Sequence, residues 1–187
     1  IKLGMLGSAA AVTAVLDSLA AYRHLPVVMD PVLSANSGGA LAQSDLRAAL
    51  LTALPQISVI TPNSIELRLL AGCEDLDQAV ARLTEAGASA IWLKGGHEPG
   101  EMLINSLYVQ GQLVMRSALP RLPGEFHGSG CTLAAALAAG LAAGLSLQDA
   151  VEQSQDFVSQ ALALADRPRD DGQWLPRRIV KTWQRST

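Results

Sequence analysis

Gly128-Ser129-Gly130-Cys131-Thr132 stands just before a run of small apolar residues from Ala134 to Ala143. Two glycines leave successive backbone N–H groups accessible. A helix that starts there points its positive end at the same place, so the stretch suits an anion such as a phosphoryl group. Cys131 has the helix-start setting that lowers a thiol's pKa, so it could accept a proton or act as a nucleophile. The same residues also fit an ordinary glycine turn with a small buried cysteine, and spacing alone does not choose between the two.

Three other stretches carry polar groups at useful spacing. Asn63 and Glu66 sit three apart and would share one face of a helix's first turn. Both offer hard oxygens of the kind that hold Mg²⁺ directly or through water. The pair also spells a capping box, with Asn63 as N-cap, which is the commoner use of this pattern. In Lys94-Gly95-Gly96-His97 the lysine could reach phosphate oxygens as a point charge, or simply be a solvated turn residue. His97 reads as a turn residue. His127 could orient a substrate or phosphate, or do neither. Asp30, before Pro31, could hold a water on Mg²⁺ or only end a strand. The stretch Ser34–Gly39 reads as a flexible loop able to reach a ligand, and Cys73 reads as structural.

The elements that must position these groups follow from hydrophobic patterning. Leu25–Met29, Ile57–Ile60 and Ala90–Leu93 are short continuous apolar runs, as buried parallel strands require. They end at residues 30, 61 and 94, so they recur every 31 and then 33 residues. That is the size of a βαβ unit with right-handed crossovers. Helical patterns fill the gaps at Ala9–Tyr22, Ser44–Leu54, Ser64–Leu70 and Leu76–Ala86. Leu103–Val109 and Gln112–Arg116 flank Gln110-Gly111 and predict a hairpin. Helices are expected at Ser129–Ala143 and at Leu147–Ala165, the latter capped by Ser146. The charged tail from Arg167 is expected to lie on the surface. Ligands of open α/β sheets bind beyond the carboxyl ends of the strands. Asp30, Thr61, Asn63 and Lys94 all fall on that edge.

Bulk composition narrows the function classes. With 187 residues, 49% of them hydrophobic, the chain is long enough for one sizeable core, and a single domain over 1–187 is the expectation. The net charge of −3 and the lack of a basic run argue against nucleic acid as a partner. The apolar stretch Thr132–Leu147 is broken by Gly140 and Gly144 and does not read as a membrane span. Two cysteines make no disulfide framework, so a reducing, cytoplasmic setting fits. Trp92, Trp174 and Trp183 form no stacking platform. The opening Ile1-Lys-Leu-Gly-Met-Leu6 reads as the inside of a strand, which suggests further sequence upstream.

Taken in order, several segments resemble the ribokinase-like superfamily. They are Lys2–Ser8, Asp30-Pro31-Val32, Thr61-Pro62-Asn63 with Glu66, Leu93 before Lys94-Gly95-Gly96-His97, and His127–Thr132. They are most similar to its hydroxymethylpyrimidine and phosphomethylpyrimidine kinase branch, from the thiamine pathway. The resemblance runs from residue 1 to about residue 165. It implies an α/β fold, a three-layer α/β/α arrangement with a mostly parallel central sheet. It also implies ATP and Mg²⁺ as cofactors, a small pyrimidine as acceptor, and a homodimer.

The resemblance assigns roles as well. Gly128, Ser129, Gly130 and Cys131 would form the anion hole, with Cys131 at the catalytic-base position and beside the acceptor. Lys94, Asn63, Thr61 and Asp30 would serve the ATP phosphates, and Glu66, Asn63 and Asp30 the metal. Gly4 and Met5 would contact the acceptor. Ser129 replaces the threonine of many members and keeps the hydroxyl. The family's additional leading αβ portion, with its glycine-rich segment, has no counterpart here, so the fold is expected to lack its N-terminal part. Two other readings stay open: a pyridoxal kinase with a cysteine base, and a non-catalytic ligand-binding member or fragment.

Overall fold

The three apolar runs become neighbouring parallel strands. The structure, a computed structural model, describes residues 1–33, 40–168, 170 and 172–179. In chain order the strands are β1 (Lys2–Leu3), β2 (Val28–Met29), β3 (Val59–Ile60), β4 (Ala90–Leu93), β5 (Met102–Val109) and β6 (Gln112–Pro120). They form one six-stranded sheet in that same order. The first four are parallel, with Lys2 opposite Val28, Val28 opposite Val59 and Ile60 opposite Ile91. β5 and β6 run antiparallel. Their turn has Gln110 at φ 49° and Gly111 at φ 76°. Positive φ at both turn residues is what a tight two-residue hairpin needs, and glycine takes it without strain.

Parallel neighbours need crossovers, and helices supply them. α1 (Ala9–Leu19) joins β1 to β2, and α2 (Ala40–Ala53) joins β2 to β3. α3 (Ser64–Ala71) and α4 (Leu76–Glu85) lie between β3 and β4. Leu3, Met29, Ile60, Ile91 and Leu93 face one core with Val12, Leu46, Leu67, Leu70 and Leu83 of the helices. The alternate residues Val28, Val59 and Trp92 are also buried, so the strands are covered on both faces and read as unbroken apolar runs.

The chain divides into two compact units, Ile1–Arg121 and Leu122–Thr187. The second holds α5 (Ser129–Ala142) and α6 (Leu147–Ala163). A side chain at Gly140 would start 3.1 Å from the Ala150 Cβ, so this glycine lets α5 approach α6 closely. The tail is more than a surface strap. Phe126 bridges to Trp174 and Asp166 to Leu175, the Arg177 amide bonds the Ala161 carbonyl, and Pro176 is buried. Arg167 lies 5.8 Å from the Trp174 ring centre.

Several element ends differ from expectation. α1 tightens into a 3₁₀ turn at Ala20–Tyr22, and α2 begins at Ala40 rather than Ser44. The residues Ala40-Leu41-Ala42 are good helix formers and carry the helix upstream of the serine. β6 continues to Pro120. Among the described residues no helix is long and apolar enough to cross a membrane.

Candidate active site

The carboxyl edge of the parallel strands gathers the expected polar groups of the first unit. The backbone ladder continues past the strand ends: Asp30 N bonds Leu3 O, Thr61 N bonds Met29 O, and Lys94 N bonds Pro62 O, at 2.8–2.9 Å. These bonds fix where the three side chains begin. Lys94 Nζ then donates to Asp30 Oδ1 at 2.8 Å. Thr61 Oγ1 lies 3.4 Å from the same carboxylate oxygen. Asp30 is 2% exposed, so the lysine's charge is what makes its burial tolerable. Lys94, expected to be open to phosphate, is therefore engaged with Asp30 here.

Asn63 and Glu66 form the capping box that opens α3. Asn63 N donates to Glu66 Oε2, and Glu66 N donates to Asn63 Oδ1, each at 2.8 Å. The capping reading is thus realised. It places Glu66, 5% exposed, on the same edge as Lys94, since Asn63 pairs with Lys94 across β3 and β4. Burial pushes the Glu66 carboxyl above its ordinary proton affinity, and the nearby Asp30 charge adds to that. Lys94 and the Asn63 amide work against it.

Asp30 and Glu66 offer carboxylate oxygens of the kind that Mg²⁺ takes. Among the described residues no group of three His, Cys, Asp or Glu forms a cage. Mg²⁺ in phosphoryl-transfer sites is commonly held by one or two carboxylates, with substrate phosphates and water completing its octahedron. Asp30 and Glu66 are two such carboxylates, and Glu66 is a buried acid whose charge the protein only partly offsets.

The loop after β4 is braced from several sides. Gly95 has no room for a side chain, because a Cβ would run into the Ile104 backbone. Its N–H bonds Asn105 Oδ1 at 3.0 Å. Arg121 donates to the carbonyls of Gly96, Glu98 and Gly100 at 2.7–3.0 Å. Arg68 grips Glu98 through two bonds, 2.7 and 3.2 Å, and this holds the Glu98 carboxyl down at about 2. Gly95 therefore has a packing role. Gly4 and Met5 follow β1 on the same edge, and Met5 is 62% exposed. Ser34–Gly39, expected to form a ligand-reaching loop, lies outside the described residues.

In the second unit the Gly128–Thr132 turn has the expected form. Gly128 is left-handed at φ 83° and caps α5 without a side-chain bond. Ser129 and Gly130 begin the helix, and Cys131 is exposed in its first turn. Thr132 Oγ1 donates to Gly128 O at 2.7 Å, and Arg178 Nε donates to Thr132 Oγ1 at 3.1 Å. A cavity of about 640 Å³ is lined by Cys131, Thr132, Ala135, Ala139, Phe157 and Arg178. The sequence places Thr132 in the anion-suited stretch but does not single out Arg178 as its partner. The signal was slight, an arginine in a charged tail 46 residues beyond its partner.

Comparison with known proteins places the chain among its relatives. A family profile described as phosphomethylpyrimidine kinase matches residues 1–173. The hydroxymethylpyrimidine/phosphomethylpyrimidine kinase of Escherichia coli is 37% identical over 175 residues, which cover 88% of this chain and 65% of that protein. The protein of the same name from Bacillus subtilis is 34% identical over 169 residues, 87% of this chain and 62% of that one. Among solved structures, the pyridoxal kinase of Staphylococcus aureus in complex with AMP-PCP superposes with a TM-score of 0.83 at 28% identity. That match covers 95% of this chain and 67% of that one. The chain thus spans 62–65% of the length of these two curated relatives. With a mostly parallel α/β sheet of ribokinase-like type and a family match running from residue 1 to residue 173, the chain belongs to the phosphomethylpyrimidine kinase family.

Proposed function

We propose that this chain carries the nucleotide and transfer machinery of a kinase. The enzyme moves the γ-phosphoryl of ATP to hydroxymethylpyrimidine and its monophosphate in thiamine biosynthesis. One observation carries the reading. A single family profile matches residues 1–173, a span that runs through both units. On this reading residues 1–187 are one kinase domain, and a homodimer in the cytoplasm goes with it.

The roles follow from the groups at hand. Gly128, Ser129 and Gly130 present N–H groups at the start of α5 to the transferring phosphoryl. Cys131 accepts the proton of the hydroxymethyl group as its oxygen bonds to phosphorus and ADP leaves. A phosphate acceptor is already anionic and needs that base less. Lys94 and Thr61 face the phosphates, and Asp30, Asn63 and Glu66 would hold Mg²⁺. When bound, the ion neutralises charge on the phosphate oxygens. Gly4 and Met5 contribute to the acceptor side. Positioning and charge supply most of the rate in such a transfer.

The test is ADP release with MgATP from the chain. Hydroxymethylpyrimidine, its monophosphate and pyridoxal are offered side by side. Turnover of the pyrimidine is expected. Cys131→Ala should lower turnover of the alcohol by about a hundredfold, and lower ATP binding far less. Turnover of none of the three would defeat the kinase reading. The 28% identity to the pyridoxal kinase of Staphylococcus aureus favours a second reading, which preferential turnover of pyridoxal would select.

A further inference from the structure

We infer that Arg178 is a phosphate-binding residue of the α5 turn and that Thr132 aims it. The inference rests on the kinase reading above and adds a residue to it. The Thr132 hydroxyl gives its proton to Gly128 O at 2.7 Å and takes the Arg178 Nε proton at 3.1 Å. One hydroxyl therefore ties the guanidinium to the left-handed residue that opens the helix. Arg178 Nη2 lies 2.9 Å from the point where a Gly128 side chain would begin. The planar fork is laid along the first turn of α5, and among the described residues only its Nε has a bonded acceptor.

Charge explains why a further acceptor should be an anion. The first turn of α5 holds no acidic residue, and its cap makes no side-chain bond. The positive end of the helix dipole is thus already uncompensated before the arginine arrives. Among the described residues no carboxylate pairs with Arg178. Two other arginines differ: Arg68 is neutralised by Glu98, and Arg121 is engaged by three carbonyls. A cation held by a neutral hydroxyl beside a positive helix end suits a phosphate, two of whose oxygens match the planar fork. The cavity of about 640 Å³ that Arg178 shares with Cys131 has apolar walls of Ala135, Ala139 and Phe157. A ligand with one charged end and one flat apolar part fits that lining.

The experiment is calorimetric titration of ADP, with Mg²⁺ present, and of adenosine. The proteins are wild type, Arg178→Ala, Arg178→Lys, Thr132→Val and Thr132→Ser. Arg178→Ala should bind ADP about tenfold more weakly or worse, the loss of one charge-assisted hydrogen bond. Its affinity for adenosine should stay within about twofold. Arg178→Lys should fall between, since it keeps the charge and loses the Thr132 bond. Thr132→Val should weaken ADP alone, and Thr132→Ser should restore it. ADP affinity unchanged in Arg178→Ala, with wild type binding well, overturns the role of Arg178 and leaves the kinase reading intact. Unchanged ADP affinity in Thr132→Val overturns the positioning by Thr132. Absence of ADP binding in wild type overturns both readings together.

Discussion

Glu66 is a carboxylate that the fold uses as a cap while denying it water. Its folded pKa lies above the ordinary value of 4.5 because of burial, with Asp30 adding to the rise. For a raised acid the sign is fixed: the contribution to stability is greatest at low pH and is lost as pH rises through the folded pKa. Glu66→Gln removes the charge and keeps a side chain that can complete a capping box. It should melt above wild type near pH 7, with the gap closing as pH falls toward 4.5. Thermal scans across that range check it. Lys94 and Asp30 make the opposite case. Lys94→Ala strands a carboxylate that is 2% exposed, and about 3–5 kcal/mol of stability should be lost. Lys94→Met combined with Asp30→Asn should recover most of it, and urea unfolding of the single and double variants reads the coupling.

At the scale of elements, glycine decides how close two helices come. Gly140→Val in α5 would press on Ala150 and Leu145, whose atoms lie 3.1–3.3 Å from where its Cβ would be. A loss of about 1–3 kcal/mol is expected from overpacking, measured as a lower urea midpoint. Much of the element plan was legible in the sequence. Strands ended by Asp30, Thr61 and Lys94 announced themselves because burial on both faces leaves an unbroken apolar run. The Asn63–Glu66 cap and the Gln110-Gly111 turn were legible because their bonds are local. The start of α2 was misjudged, since Ser44 looks like a cap while Ala40 carries no mark. The Lys94–Asp30 pair spans 64 residues and the Arg178–Thr132 bond spans 46. Contacts of that span leave no periodic trace in the chain, so the engaged state of Lys94 and the use of Arg178 emerged only in three dimensions.

For the molecule as a whole, acid stability should carry the mark of Arg68. It holds Glu98 at about 2, below the usual 4.5. A depressed acid contributes stability that is present above 4.5 and is lost as pH falls toward 2. Glu98→Gln should therefore be less stable than wild type at neutral pH and indistinguishable from it below about pH 2. Acid unfolding followed by circular dichroism decides it.

The Arg121 brace has a further consequence for ligand binding at the strand edge. Three carbonyls of the loop after β4 are already saturated by one guanidinium. The loop's backbone freedom, about 1–2 kcal/mol per residue, is surrendered when the chain folds and not when a ligand arrives. Ligands meeting Lys94 and Gly95 therefore face a surface set in advance. Their association at this edge should show a small entropic penalty and no slow isomerisation phase.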